Sequence, residues 1–600
     1  MSNHPIAEYA LLSDCRSAAL VHRAGSIDWL CFPRFDGPSV FGRIVDEDAG
    51  HWSIHPIDDA EVSRRYLPDT LVLETTFRTA TGTAKVIDAL AFGRHERGHA
   101  LGAGVPSVVL RDVVGVEGEV EFELEYSPRP EYGLIFPLLE AHENGVRTRG
   151  GADLLALTSP VPCIIDGSDA RARFVVGAGN DLAFALHHRT SSEAAPTFWS
   201  ADDIRARLGD TTEAWRTWSA LHQSYEGPWH DLVHQSGRVL YALTYYPTGA
   251  ICAAATTSLP ESVGGERNWD YRYAWVRDAS FTMQALWVAA CPDEAGKFFE
   301  FMASAAATQL RRGFDLQIMF GIGGERDLTE RTLPHLSGWR GSAPVRVGNG
   351  AWEQRQLDVY GELLDAVYRF PDQLDRMSPT TRQFLADLAD AAAGMWQEKD
   401  QGIWEIRGEP RDFLYSKLMC WVALDRAIAL AERVGATDRV ERWKGSREEI
   451  TDAILHQGWN DEAGAYTQSF GATELDASNL MMVIVGFLPA DDPRMRATID
   501  AIAERLTDEH GLVYRYLADD GLAGDEGTFL LCTFWLAHAY ALAGEVERAT
   551  EVFERAAAFA NDVGLLAEEV DARNGELLGN FPQAFSHIGL VNAAWAISQA

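Results

Sequence analysis

Between Asn268 and Asp278 the chain reads Asn-Trp-Asp-Tyr-Arg-Tyr-Ala-Trp-Val-Arg-Asp, placing four aromatics, two Asp and two Arg in eleven residues. Aromatic faces stack on the apolar C–H faces of sugar rings, and Arg and Asp supply donors and acceptors that fix hydroxyl positions. Loops carry function more often than cores do, and a loop this dense in large side chains points to a ligand. The competing interpretation is an aromatic strand or helix entry that only packs. Two other loop stretches add carboxyl groups. Glu405 stands in Gly402-Ile-Trp-Glu-Ile-Arg407, where apolar neighbours would disfavour its charged form and suit a proton donor. Glu568 stands in Leu565-Leu-Ala-Glu-Glu-Val-Asp571, where adjacent acids can share hydrogen bonds with a water. Hydrolysis of a glycosidic bond needs one protonated carboxyl at the leaving oxygen and one ionised carboxyl to activate water or attack. Read from the residues alone, Glu409, Glu526, Glu569, Asp270 and Asp278 compete for these roles.

The elements that must position these groups fall into two regimes. Segments 17–33, 71–92, 107–126 and 170–188 are rich in Val, Ile, Leu, Phe and Thr and are punctuated by Gly and charge, which predicts antiparallel hairpins and a β-sandwich over 1–199. A helical linker is expected over 200–228, with a helix across 202–221. From 229 to 600 apolar residues recur three and four apart, as at Ile499, Ile502 and Leu506. This predicts paired helices near 229–244, 281–290, 293–311, 352–368, 380–398, 413–434, 437–457, 477–487, 493–508, 527–543, 545–560 and 581–598. Even pairing suggests an α/α toroid whose loops converge on a funnel. The loops at 246–279, 312–350, 399–412, 509–526 and 561–580 exceed the length usual in compact domains, and they hold the candidate residues above.

Bulk properties narrow the class of partner. Six hundred residues imply more than one domain, and 88 acidic against 52 basic residues give a formal net charge of −36. That charge repels nucleic acid and anionic membrane surfaces and leaves a neutral small molecule unpenalised. Cys15, Cys31, Cys163, Cys252, Cys291, Cys420 and Cys532 stand singly with no CxxC pair, predicting reduced thiols, a cytoplasmic home and no zinc site. No signal peptide and no run long enough to span a membrane are expected. The edges of the β-domain offer a surface for a homo-oligomer.

Taken together, the motifs resemble glycoside hydrolase family 15 over nearly the whole chain. The resemblance rests on Ile6–Arg16 with Gly25–Pro33, on Asn268–Asp278, on Pro344-Val-Arg346-Val-Gly-Asn349 with Gln354 and Asp358, and on Trp404-Glu405 leading to Phe413 and Ser416-Lys417. Asp525-Glu526-Gly527 and Gly579-Asn-Phe-Pro-Gln-Ala-Phe-Ser-His587 complete it. It implies a β-sandwich followed by an (α/α)6 barrel, with Glu405 as general acid and Glu568 as general base. It further implies that Arg277 and Asp278 hold hydroxyls of the non-reducing glucose and that Trp339 leans on the acid. Arg515 and Glu526 would close the glucose subsite, while Trp269, Asp270, Trp275, Trp404 and His587 would serve as sugar contacts. His587 also has a plainer interpretation as a capping or supporting histidine. Unlike fungal members, which have two consecutive Glu at the acid, this chain has Ile406 after Glu405.

The activity so implied is that of an exo-acting, inverting α-glucoside hydrolase releasing β-glucose, with no metal or cofactor required. Trehalose suits a cytoplasmic enzyme best. The alternatives are a glucoamylase-like 1,4- or 1,6-α-glucosidase, a disaccharide phosphorylase, and a non-catalytic sugar-binding protein. A phosphorylase would want a phosphate cradle where 561–572 is acidic instead.

Overall fold

The computed structural model describes residues 4–222, 225–289, 292–310, 316–369, 374, 377–518 and 526–600. Cys291, Asp525 and parts of the loops expected at 312–350 and 509–526 lie outside these residues. The first third of the chain is an antiparallel sheet of fifteen strands. Its main path runs Tyr9–Ser13, Ala18–His22, Ser26–Cys31, His51–Pro56, Val108–Ser127, Asp181–Thr190, Asp153–Thr158, Gly145–Gly150 and Leu138–His142. The strand Val108–Ser127 folds the sheet into two layers. Residues 108–118 pair with Gly82–Leu90 and Asp181–Thr190 in one layer, while 119–127 pair with Asp169–Gly177 and His51–Pro56 in the other. Between the layers Phe122 stacks on Phe174 at 5.6 Å and meets Phe77 edge-on at 6.1 Å, and Phe174 contacts Phe184 at 5.5 Å. The strand Asp169–Gly177 shows why this stretch is a half-buried strand. Ala170, Ala172, Phe174 and Val176 are buried, and Arg171, Arg173 and Val175 alternate outward, the period of two that a pleated face requires. Expected segment 17–33 is a hairpin, and the strands Leu138–His142, Gly145–Gly150 and Asp153–Thr158 fall outside the expected segments, the first of them largely exposed.

The rest is helical. In chain order the helices are α1 (Ala201–His222), α2 (His230–Ala242), α3 (Arg277–Ala289), α4 (Pro292–Leu310), α5 (Asp358–Arg369), α6 (Pro379–Met395), α7 (Leu414–Val434), α8 (Val440–Gln457), α9 (Met481–Ile484), α10 (Pro493–Arg505), α11 (Leu530–Leu542), α12 (Val546–Ala557) and α13 (Ala584–Gln599). Helix α1 packs on the strand Asp181–Thr190. Helices α3, α5 and α7, the 3-10 turn Ala477–Leu480 with α9, and α11 and α13 follow one another around an inner ring, with α13 closing back onto α3. The even-numbered helices from α2 to α12 cover them outside, which makes an (α/α)6 barrel. The inner helices are buried nearly all round, as in α11 (Leu-Leu-Cys-Thr-Phe-Trp-Leu-Ala-His-Ala-Tyr-Ala-Leu). The outer α12 is strongly amphipathic, with Ala549, Val552, Phe553 and Ala556 inward, as a surface helix must be. The helix expected over 477–487 is instead a 3-10 turn, Ala477–Leu480, running into the single-turn α9.

Sheet and barrel share buried contacts beneath the loop 246–279. The Trp29 indole donates to the Ala255 carbonyl at 2.8 Å. Arg272 reaches the Gly37 carbonyl and the Tyr132 hydroxyl, both at 2.9 Å. The loop therefore has a rigid floor.

Candidate active site

The segment 268–276 is extended, tied by the Thr257–Asp270 bridge and by the pairing of Ala274–Trp275 with Met319–Phe320. An extended chain sends successive side chains to opposite sides. Trp269, Tyr271, Trp275 and Arg277 line an open cavity at one end of the barrel. Asp270 and Arg272 point the other way, into the contact with the sheet, and form a fully buried ion pair at 2.7 Å.

Glu405 enters the cavity from the turn after α6. Its backbone is left-handed, φ 58°, a conformation costing a non-glycine residue about 1 kcal/mol or more. Trp404 anchors this turn by donating to the Asp476 carboxylate at 2.9 Å, and the Gln354 amide donates to the Glu405 carbonyl at 3.1 Å. The Glu405 side chain is 18% exposed. Its Oε1 accepts from the Trp275 indole at 2.6 Å and from Arg277 at 3.4 Å. Arg277 also donates to the Ile403 carbonyl at 2.7 Å and to Asp278 at 3.2 Å. Burial pushes the Asp278 carboxyl up to about 6, with Glu405 adding to the effect and Arg277 opposing it.

Glu568 comes from the opposite loop, just before the short strand Glu569–Val570, which pairs with Thr528–Phe529 and Leu577–Leu578. Its Oε1 accepts from the Tyr271 hydroxyl at 2.8 Å and from Gln583 at 3.3 Å. Burial drives its carboxyl up to about 8; the charge of Glu261 adds to this, and Arg515 opposes it. Glu261, also on the cavity wall, is raised to about 7, again chiefly by burial. Arg515 bridges Glu261 at 3.2 Å, Glu526 at 2.7 Å and Glu569 at 3.3 Å, and Arg267 pairs with Glu526. Glu569 does not reach the cavity. It is fully buried, and its Oε2 accepts from the Gly527 amide at 2.9 Å.

Of the expected site residues, Trp269, Trp275, Arg277, Asp278, Trp404, Glu405, Arg515, Glu526 and Glu568 share this one cavity. Three expectations need correction. Asp270 is held away from the cavity by Arg272, as described. Trp339 is fully buried elsewhere, donating to the His4 carbonyl at 2.9 Å beneath the Arg340 guanidinium. The indole that touches the expected acid is that of Trp275. His587 is also fully buried. Its Nε2 accepts from the Leu566 amide at 3.1 Å, its Nδ1 bonds the Ser236 hydroxyl at 2.9 Å, and burial lowers its pKa to about 3. It supports the loop that carries Glu568 and contacts no ligand space. Sequence reasoning missed Glu261, Arg267, Tyr271, Arg407, Tyr516, Phe529, Gln583 and Phe585. For Tyr271 the signal was the alternation of the strand itself.

Among the described residues one group has metal-ligand proximity, His4, Glu8 and His22 in the sheet domain. There Nδ1 of His22 accepts from the Ala24 amide at 3.2 Å, so Nε2 carries the ring proton and donates to Glu8 at 2.7 Å. That tautomer makes a hydrogen bond in place of a ligand bond.

The profile described as Glycosyl hydrolases family 15 matches residues 227–595, and the one described as Trehalase-like, N-terminal matches residues 1–207. A trehalase of Mycolicibacterium smegmatis is 43% identical over 99% of this chain and 92% of its own length. A trehalase of Thermoplasma volcanium is 32% identical over 100% of this chain and 95% of its own. A bacterial glucoamylase solved with acarbose shares the fold at TM-score 0.75 and 15% identity, covering 100% of this chain and 95% of that one. With the sheet, the barrel and a carboxyl-lined cavity described, these likenesses place the chain in glycosyl hydrolase family 15, as a glycoside hydrolase with a trehalase-like N-terminal domain.

Proposed function

We propose that this enzyme hydrolyses α,α-trehalose to glucose with inversion, using Glu405 as general acid and Glu568 as general base. One observation carries the reading. Two carboxyls 568 − 405 = 163 residues apart in the chain line the same cavity, and each has Oε1 tied by two donors, which leaves Oε2 for the chemistry. Glu405 delivers its proton to the glycosidic oxygen as the bond to the anomeric carbon breaks. Glu568 draws a proton from the water that attacks the opposite face of that carbon. Inverting pairs stand about 6.5–9.5 Å apart to admit this water. Arg277 and Asp278 hold hydroxyls of the glucose being transferred. The full-length similarity to curated trehalases supports trehalose as the substrate. A cytoplasmic setting is supported by the free thiols among the described residues, Cys15, Cys31, Cys163, Cys252, Cys420 and Cys532. Among the described residues no helix is long and apolar enough to cross a membrane.

Proton NMR of trehalose during turnover tests the reaction. Equal initial amounts of β-glucose and α-glucose are expected. Glucose 1-phosphate appearing in place of one glucose when phosphate is added would replace hydrolysis by phosphorolysis and remove the base. Glu405→Gln and Glu568→Gln are each expected to lower kcat by about 10²–10⁴, the range of general acid–base contributions, with the circular dichroism of the folded protein retained. A fully active Glu568→Gln beside an inactive Glu569→Gln would reassign the base.

A further inference from the structure

The wall that carries Glu405 runs from buried to exposed, whereas the facing wall with Glu568 and Glu261 is buried. The Asp278 and Arg277 side chains are 9% and 13% exposed, Glu405 between them and the opening is 18% exposed, and Arg407 at the rim is exposed. An exo-acting enzyme takes the glucose to be released into the closed end, so the leaving sugar sits on the rim side of Glu405. There Trp269 carries two guanidinium groups against its ring, Arg346 at 4.7 Å and Arg407 at 4.6 Å. Arg346 is spent on the protein, paired with Glu330 at 3.1 Å and donating to the carbonyls of Glu266 and Asn268. Arg407 differs. Among the described residues no carboxylate or carbonyl accepts from it, yet its position is set by the Trp269 face and it borders the cavity. A guanidinium laid on an indole is pre-organised, so little side-chain freedom remains to be lost when its donors engage a ligand.

We propose that Arg407, seated on Trp269, binds the hydroxyls of the leaving glucose and sets the preference for a disaccharide over substrates with no sugar on that side. This rests on the reading of the site given above. The step would matter most in a trehalose complex, where the leaving group is itself a glucose with hydroxyls next to the broken bond.

The test compares kcat/KM for trehalose with kcat/KM for α-glucosyl fluoride, whose leaving group carries no sugar. In Arg407→Ala the trehalose-to-fluoride ratio is expected to fall roughly tenfold to a hundredfold, the scale of one lost hydrogen bond to a charged group. Arg407→Lys, which keeps the charge and loses the planar fork, is expected to recover part of that loss. A ratio equal to wild type in Arg407→Ala overturns the proposal. Wild-type protein that cleaves the fluoride and maltose and leaves trehalose intact overturns the trehalose reading instead, and Arg407 is then judged by the maltose-to-fluoride ratio.

Discussion

Burial is the chief reason the pKa of the Glu568 carboxyl is raised; Glu261 adds to it, while Arg515 and the Tyr271 hydroxyl favour the charged form. The general base proposed here works ionised, so on that proposal kcat/KM should climb with pH through the neutral range toward about 8, well above the ordinary carboxylate region. The sign of each neighbour gives a prediction. Glu261→Gln removes a negative charge and should move the acidic limb of the kcat/KM profile to lower pH. Tyr271→Phe removes a donor to the carboxylate and should move it to higher pH. A limb that stays in place in both variants would mean that Glu568 does not control it. Both neighbours act through a cluster, so the limb reports the coupled group of acids.

At the scale of elements, the catalytic loops depend on close backbone approaches. Gly579 stands just before α13 at φ +80°, and a Cβ there would lie 2.6 Å from both Cβ and Oε2 of Glu568. Gly579→Ala should displace the carboxyl and lower kcat by about 10²-fold, the usual consequence of an error near 1 Å in a catalytic group. Circular dichroism should stay close to wild type, because the barrel helices are untouched, and wild-type kcat in this variant would show that the loop yields freely. The turn at 402–407 is built in the same way. Gly402, at φ +70°, faces the Phe413 ring, and a Cβ there would lie 2.9 Å from it.

For the molecule as a whole, the sheet domain is part of the site's foundation. The Asp270–Arg272 pair has no exposure and ties the back of the aromatic segment to Gly37 and Tyr132. Removing one partner of a buried pair leaves the other charge uncompensated, at a cost of about 3–5 kcal/mol. Arg272→Met should therefore lower Tm and trehalose turnover together. The double variant Asp270→Leu/Arg272→Met should recover much of the lost Tm, since apolar replacement of both partners is often neutral. Equal Tm for the single variant and wild type would show that the pair contributes nothing to the junction.

How much was legible beforehand differed by kind of signal. The helices were read within a few residues because apolar residues recur three and four apart along them, as a stripe on the outer helices and within nearly continuous apolar runs on the inner ones, and the failure at 477–487 fell where a 3-10 turn breaks that repeat. Strands rich in apolar residues, such as Ala18–His22 and Ser26–Cys31, were read, while Gly145–Gly150, which alternates but carries Arg and Thr, was not. The dense aromatic segment stood out because local composition marks loops that do more than connect, whereas Glu405 and Glu568 were separated from rival loop acids only by the resemblance to glycoside hydrolase family 15. Composition and period by themselves thus determined a β-region followed by many helices, the loops that matter and the residue types of the chemistry, while the six-paired barrel came from the family resemblance. Which side chains face the cavity was decided only by the tertiary structure. Asp270 and Tyr271 are neighbours in an extended strand, and one faces the sheet domain while the other faces Glu568. Trp339 and His587 carry suitable chemistry but are enclosed by His4, Arg340, Ser236 and Leu566. Glu261 gains its character only when folding brings Arg515 and Glu568 beside it. A sequence specifies each group's chemistry, whereas its direction and electrostatic surroundings depend on partners hundreds of residues away.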